Sequence, residues 1–399
     1  MRSMANRWFM LAVLFLARTA MAVQFQSVGA LGPILAQELA IDYAAVGTLI
    51  GLYMLPGVAI ALPGGVLMQR FGAVTIALTG LAVMAAGGAL MGTTTSFTAL
   101  VAGRLVSGTG AVLLNVALTK MTADWFVGRE IVTAMSILIA SWPFGIALAL
   151  IGFVPLASAY GWPAVMNAGA ACAVASLVLI AAAYRSPPGA ANEETTKLEL
   201  NLTRREWLLV LLAGAAWGTF NVGYIDLVSF APGLFVARGA SLAQASGLVS
   251  IISWVMIVST PLGGYAAEAS RRPRAVTAAA LALVASSIVL MGAGVASLAA
   301  FAMIALVIGL PPGPIMAMPA QALRAESRAP GMGVFYLCYY AAMAVLPSLA
   351  GMTRDLAGSP AAPVLFAAVM MLAALASLAG FVAVLRDRKA VTAPAGRAH

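Results

Sequence analysis

Three ionisable residues stand inside long apolar stretches of the chain, and any chemistry it performs must involve them: Arg18, Arg104 and Asp226. An arginine at the bilayer centre costs about 2.5–3.5 kcal/mol to insert, so a fold that keeps one supplies water, a partner or an anion. Arg18 lies about ten residues into its apolar run, roughly 15 Å deep at 1.5 Å per residue, too far in to snorkel. A guanidinium grips a carboxylate or planar oxyanion through two parallel hydrogen bonds. The competing role is to bond helix-end carbonyls or a tyrosine hydroxyl. Arg104 starts nearer the end of its run and could reach the interface. Asp226 is the one acid inside a run and away from its ends, which makes it the candidate for proton coupling if burial lets it trade a proton near neutrality. Trp142, Tyr336, Tyr339 and Tyr340 fall near mid-membrane, away from the interfacial belts where such rings collect. Tyr336 and Tyr340, one turn apart, could help hold a solute, although aromatic packing is the commoner use of any one of them.

Other chemistries lack their residues. The only histidine is His399, and no acid pair, metal cluster or nucleophile–base set lies at a shared depth. An enzyme, a cofactor and a metal site are therefore not expected. Cys172 and Cys338 each sit in an apolar run and read as small buried hydrophobes rather than a disulfide.

The elements that must position these residues follow from composition. Of 399 residues 62% are apolar and 9% charged, and the mean hydropathy is +1.00. Such a chain cannot cover itself with polar groups, so its solvent is lipid. Hydrocarbon admits only helices or closed barrels, and apolar runs of about 20 residues are helical spans. The net charge of +9 is scattered between the runs, which excludes a nucleic-acid surface. Arg2 and Arg7 ahead of an apolar stretch ending in Ala20-Met21-Ala22 imitate a signal peptide. Arg18 interrupts that stretch, and a counterpart in mid-chain argues against a removable leader.

Twelve spans are expected, near 8–36, 44–68, 73–93, 97–120, 130–157 and 162–184, then 207–236, 242–266, 275–295, 297–320, 331–353 and 362–385. An all-α membrane protein results, with six-helix bundles at 1–184 and 207–385, a cytoplasmic linker at 185–206 and a tail at 386–399. With both ends cytoplasmic, 18 of the 22 Lys and Arg residues fall inside, as the positive-inside rule requires of a multi-pass protein of the cell (inner) membrane. The halves match at an offset of about 200 residues: Pro33 with Pro232, Gly64-Gly65 with Gly263-Gly264, Leu90-Met91-Gly92 with Leu290-Met291-Gly292. Parallel repeats of this kind bind solute at the midplane and rock for alternating access. Pro311, Pro312 and Pro314 remove three backbone donors and should break the tenth span.

Over essentially its whole length the chain resembles the major facilitator superfamily. Gly65-Val66-Leu67-Met68-Gln69-Arg70-Phe71-Gly72 is similar to that family's signature loop, with Gln69 where an acid is usual and Ala73-Val74 in place of a basic pair. Arg104, Gly108 and Gly110 resemble its Arg-x-x-x-Gly-x-Gly pattern. Trp142-Pro143-Phe144-Gly145 departs from the signature of drug/proton antiporters. Trp125-Phe126-Val127-Gly128-Arg129-Glu130 and the run from Tyr339-Tyr340 through Pro347, Gly351 and Asp355 resemble the branch of cyanate, nitrate and small organic anion permeases.

The resemblance implies a monomeric secondary transporter with a central cavity lined by the first, fourth, seventh and tenth spans. Arg18, Ala22, Phe25 and Gly29 fall on one helical line, with Trp217, Asn221, Tyr224 and Val228 as repeat counterparts; Arg104, Gly108, Ala111 and Asn115 share a face of the fourth span. Arg18, Phe25, Asn115, Trp142, Trp217, Asn221, Tyr224, Tyr336 and Tyr340 are thus the expected substrate contacts, and the substrate a small inorganic or organic anion. Arg104, Asp226, Gly65, Arg70 and Gly72 are the expected gating or coupling residues. Asp226 lies nine residues after Trp217, about 180° from the stripe, unless Gly223 breaks the helix. The rivals are an exporter of drugs or hydrophobic solutes, whose cavity would be apolar and Arg18 dispensable, and a transporter-like solute sensor, which would normally bring an added soluble domain.

Overall fold

A computed structural model describes residues 6–60, 64–127, 130–187, 202–295, 297–324 and 327–391. It is helical throughout, and among the described residues there is no strand. The first span is Arg7–Ala30, extended by Gly32–Glu38. The second is in pieces, Tyr43–Leu52, Pro56–Ile60 and Gly64–Phe71. The third to sixth are Ala73–Gly92, Phe97–Phe126, Ile131–Tyr160 and Trp162–Ala183. The seventh to ninth are Arg204–Ala237, Leu242–Ala269 and Pro273–Gly292. The tenth is broken into Ser297–Val307, Pro312–Met316 and Met318–Ala322, where the prolines withhold amide donors. The eleventh and twelfth are Arg328–Ala357 and Ala361–Val391.

Local chemistry sets these limits. Pro56 cannot donate to Leu52, so the second span opens at Tyr53–Leu55. Gly72 turns the chain into the third span at φ +81°, where a side chain would be strained. Two boundaries differ from expectation. The seventh span starts at Arg204, because Thr203 and Glu206 form a reciprocal capping box, and the twelfth runs on to Val391 with its charged last turns outside the apolar stretch. Of the segments called linker and tail, 188–201 and 392–399 lie outside the described residues. Leu262, Leu306, Val258 and Leu356 point outward, as a lipid solvent requires. Cys172 does the same, so it is an outward-facing residue and not a buried one; both cysteines are free.

The two ends of the bundle differ. At one, here the termini face, Arg7 pairs with Glu130 at 2.7 Å and Arg324 with Glu206 at 3.0 Å, each bond within one half. At the far face the halves are locked together. A Cβ on Gly47 or Gly51 of the second span would run into the carbonyl of Pro347 or Ala344 of the eleventh, and one on Gly351 into that of Tyr43, so here backbone lies on backbone. The Asp355 carboxylate accepts from the amides of Tyr43 (3.0 Å) and Ala44 (2.8 Å), the first turn of the opposite half's second span. The Arg354 guanidinium lies over the Tyr43 ring.

Candidate functional site

Beneath this seam a cavity of about 900 Å³ separates the halves. It is open toward the termini face, where Val132, Tyr265, Arg274 and Gln321 form its rim, and it ends at Tyr53, Met54 and Tyr340. The broken tenth span supplies one wall through Pro312, Gly313, Pro314 and Met318. Of the expected contacts, Arg18, Asn115, Trp142, Trp217, Asn221, Tyr224, Tyr336 and Tyr340 line it. Among the described residues, Arg18 and Arg274 are the only charged side chains in that lining and none is an acid.

Arg18 is held by the opposite wall of its own half. Its Nε donates to Asn115 Oδ1 at 3.1 Å, and its Nη1 to the carbonyls of Leu138 (3.0 Å) and Ile139 (3.2 Å) and to Ser141 Oγ (3.3 Å). The cause lies in the fifth span: Pro143 has no N–H to give the Ile139 carbonyl, and the guanidinium takes that place. The expected two-nitrogen grip on an anion is therefore corrected, since Nε and Nη1 are committed to protein oxygens. Nη2 makes no hydrogen bond among the described residues and is not sealed off. It is the one nitrogen of this guanidinium left for a ligand.

Arg104 is fully buried and outside the cavity. It donates to the carbonyls of Leu49 (2.7 Å), Gln24 (3.2 Å), Phe25 (3.1 Å) and Ile50 (3.5 Å), with its Cζ 4.6 Å from the Tyr53 ring centroid. Leu49 and Ile50 close the helix Tyr43–Leu52, whose last carbonyls lack partners because the span breaks there. Arg104 does not reach the interface that its place near the end of a span would allow, because its donors are consumed where the second span opens.

Phe25, expected on the cavity stripe, is 1% exposed and stands behind the wall, packed on Trp142 (centroids 5.1 Å) and Tyr53 (5.6 Å). The stripe leaves the cavity above Met21 because the first span enters the seam: Gly29 abuts Ser229, and Gln26 Nε2 donates to Ser229 Oγ at 3.3 Å. Asp226 is fully buried outside the cavity, and neither carboxyl oxygen has a hydrogen-bond partner among the described residues. No break occurs at Gly223, which packs closely on Ala367 and Met371 of the twelfth span. Gly65 belongs to the helix Gly64–Phe71, and Arg70 is exposed on that helix's last turn, its Cζ 5.3 Å from the Phe71 ring centroid. Neither Arg70 nor Gly72 is among the residues that line the cavity.

Several lining residues escaped the sequence reading. Tyr53 and Met54 belong to the second span, outside the four spans that the resemblance places around the cavity, and they line it where that span is broken ahead of Pro56. Tyr339 joins Tyr336 and Tyr340 because the close approach of the second and eleventh spans rotates that face inward. Arg274 is held at the rim by Gln321 Oε1, 2.9 Å from its Nη2.

A central cavity between two six-span halves, closed at one face and open at the other, is a transporter's architecture. The Major Facilitator Superfamily model matches residues 10–347. The chain belongs to this superfamily. It is a multi-pass membrane transporter of small molecules and not an enzyme. The facilitator is similar to a bacterial homologue of the human lysosomal transporter Spinster in an inward-facing, occupied conformation, with a TM-score of 0.74 and 18% identity over 96% of this chain and 98% of that one. The unoccupied inward-facing form gives 0.70 and 17% over 98% and 100%. A variant of the nucleoside transporter NupG gives 0.74 and 11% over 95% and 100%. At these identities the likeness is one of fold. No curated protein matches the facilitator by sequence.

Proposed function

We propose that the facilitator carries small organic anions across the cell (inner) membrane by alternating access, with both termini in the cytoplasm and the cavity facing inward. The observation that supports the anion is the free Nη2 of Arg18 in a lining that offers, among the described residues, two guanidinium groups and no carboxylate. A ligand carrying one negative charge meets no like charge there. Cavity size favours an organic over an inorganic anion, because most of about 900 Å³ would stay unfilled around nitrate or cyanate. The excess of basic residues at the termini face supports the orientation. The cavity is complete within one chain, which supports action as a monomer. Arg104 acts as a fixed pin rather than a moving gate, and the loop with Gly65, Arg70 and Gly72 is assigned to gating on its place between the second and third spans.

Uptake of labelled anions into proteoliposomes tests this. Wild type is expected to accumulate organic monoanions, and Arg18→Ala to lose that uptake while its melting curve in detergent stays cooperative. The apolar remainder of the lining favours a second reading, export of neutral hydrophobic solutes. Uptake of lipophilic cations or neutral drugs, unaffected by Arg18→Ala, would establish that reading and remove the anion. An imposed pH gradient compared in wild type and Asp226→Asn assigns proton coupling: dependence on Asp226 makes the carrier a symporter, and indifference an exchanger or facilitator.

A further inference from the structure

Nine of the 41 residues that line the cavity are aromatic, against 8% of the chain. They are grouped by half. In the C-terminal half the Trp217 ring lies between those of Phe220 (6.0 Å, 22°) and Phe335 (6.4 Å, 20°), with Tyr339 at 6.3 Å. In the N-terminal half Trp142 rests on Phe25 at 5.1 Å and 39°. Phe220, Phe335 and Phe25 are fully buried, so each indole is braced from behind and half-exposed toward the cavity. Two braced rings, one per half, are platforms whose side-chain freedom is already lost, and a planar ligand orders little on settling against them.

The polar groups are placed to complement such a ligand. The hydroxyls of Tyr336 and Tyr339 make no hydrogen bond to the protein among the described residues and are not sealed off. Both tyrosines lie within electrostatic range of Arg18. Arg18 Nη2 from one half and two hydroxyls from the other thus offer donors with no protein acceptor assigned to them. A single nitrogen with two N–H groups takes one oxygen of a carboxylate, and hydroxyl donors can complete it. Arg274, the only other charged side chain among the described lining residues, stands out at the rim with its Nη2 on Gln321, so a second negative group held at the depth of the indoles would meet rings and carbonyls.

We infer that the transported solute is an aromatic monocarboxylate, its charge between Arg18 and the Tyr336 and Tyr339 hydroxyls and its ring between Trp142 and Trp217. The inference rests on the anion reading above and adds the ring and the single charge. Labelled 2-naphthoate binding to the full-length protein tests it, with competition by the saturated decahydro-2-naphthoate, by neutral 2-naphthamide and by 2,6-naphthalenedicarboxylate. Aromatic pairing adds roughly two- to ten-fold per ring contact beyond buried area. The saturated acid should therefore compete roughly ten-fold more weakly, the amide and the diacid at least as weakly.

Trp217→Leu, or Trp142→Leu if the first does not fold, should cut the preference for the aromatic over the saturated acid by the roughly two- to ten-fold of one ring contact and keep that for acid over amide. The double variant Tyr336→Phe with Tyr339→Phe, which removes hydroxyls that no protein group among the described residues uses, should instead weaken the preference for acid over amide, with Arg18 Nη2 still in place, and keep that for the aromatic over the saturated acid. Equal competition by the saturated acid overturns the aromatic inference and leaves the anion reading standing. Equal competition by the amide overturns both. Competition by the diacid equal to that of naphthoate overturns the single-charge limit, and failure of naphthoate to bind overturns the inference.

Discussion

Arg104 and Arg18 are the same side chain, in the same half, within apolar spans, and the protein uses them in opposite ways. Every nitrogen of Arg104 meets a backbone carbonyl, two of them the last carbonyls of a helix that stops short, and the group is sealed. Arg18 also plugs a gap in a helix, the one left by Pro143, but this takes only Nε and Nη1 and leaves Nη2 beside the cavity. Depth in the membrane does not separate a structural arginine from a binding one. The count of donors left over does.

The largest effect should come from breaking the saturated site. Arg104→Met keeps the stem and strands four carbonyls; at about 1–3 kcal/mol for each orphaned buried acceptor, with partial relaxation, the loss should be on the order of 3–5 kcal/mol. Thermal unfolding in detergent reads it, and uptake per folded molecule should fall no further than stability does. If Arg104→Met folds normally yet transports nothing, Arg104 belongs to the transport cycle and the contrast fails. Next is Arg18→Lys, which keeps the charge and loses the fork. A hydrogen bond to a charged group is worth about 1.5–3 kcal/mol, so anion affinity should weaken by roughly ten- to a hundred-fold while the melting temperature moves less than for Arg104→Met. Equal losses of stability at both positions would mean that Arg18 too is only structural. The smallest effect is expected at Asp226, whose carboxyl is buried with no hydrogen-bond partner among the described residues. Asp226→Leu removes a polar group that gains nothing by its burial and should raise stability by about 1 kcal/mol, with anion exchange retained. A large loss of stability there would reveal a bond to Asp226.

The fold was legible because lipid leaves few options: twelve apolar runs, a charge asymmetry and a repeat follow from composition and order alone. The break in the tenth span was legible too, since three prolines cannot be hidden. The site was legible as far as one helical line could be followed. Arg18, Asn115, Trp217 and Asn221 share the cavity because their spacing puts them on facing surfaces. Phe25 left it because a straight stripe takes no account of a span that tilts into a seam. The commitment of Arg18 to Ile139 could not be read, because it needs the fifth span's proline gap beside the first span's arginine, and nothing in the order of residues sets that distance. Tyr53 was missed for a similar reason, being turned inward by a break whose other consequence is the burial of Arg104.

The carboxylate of Asp355 has a bearing on how this protein moves. It finishes the first turn of a helix that belongs to the other half, filling the two leading amides while Asp42 of the helix's own half takes the third, Ala45, at 2.7 Å. The latch is thus a shared helix cap. Such caps are worth about 0.5–2 kcal/mol, and water can take over the same amides when the halves part. The cap is one fastening of a seam that close backbone packing, the Thr48–Ser348 hydroxyl pair at 2.8 Å and the Arg354 guanidinium over Tyr43 also hold, so Asp355→Ala should leave the door ajar rather than unhinged.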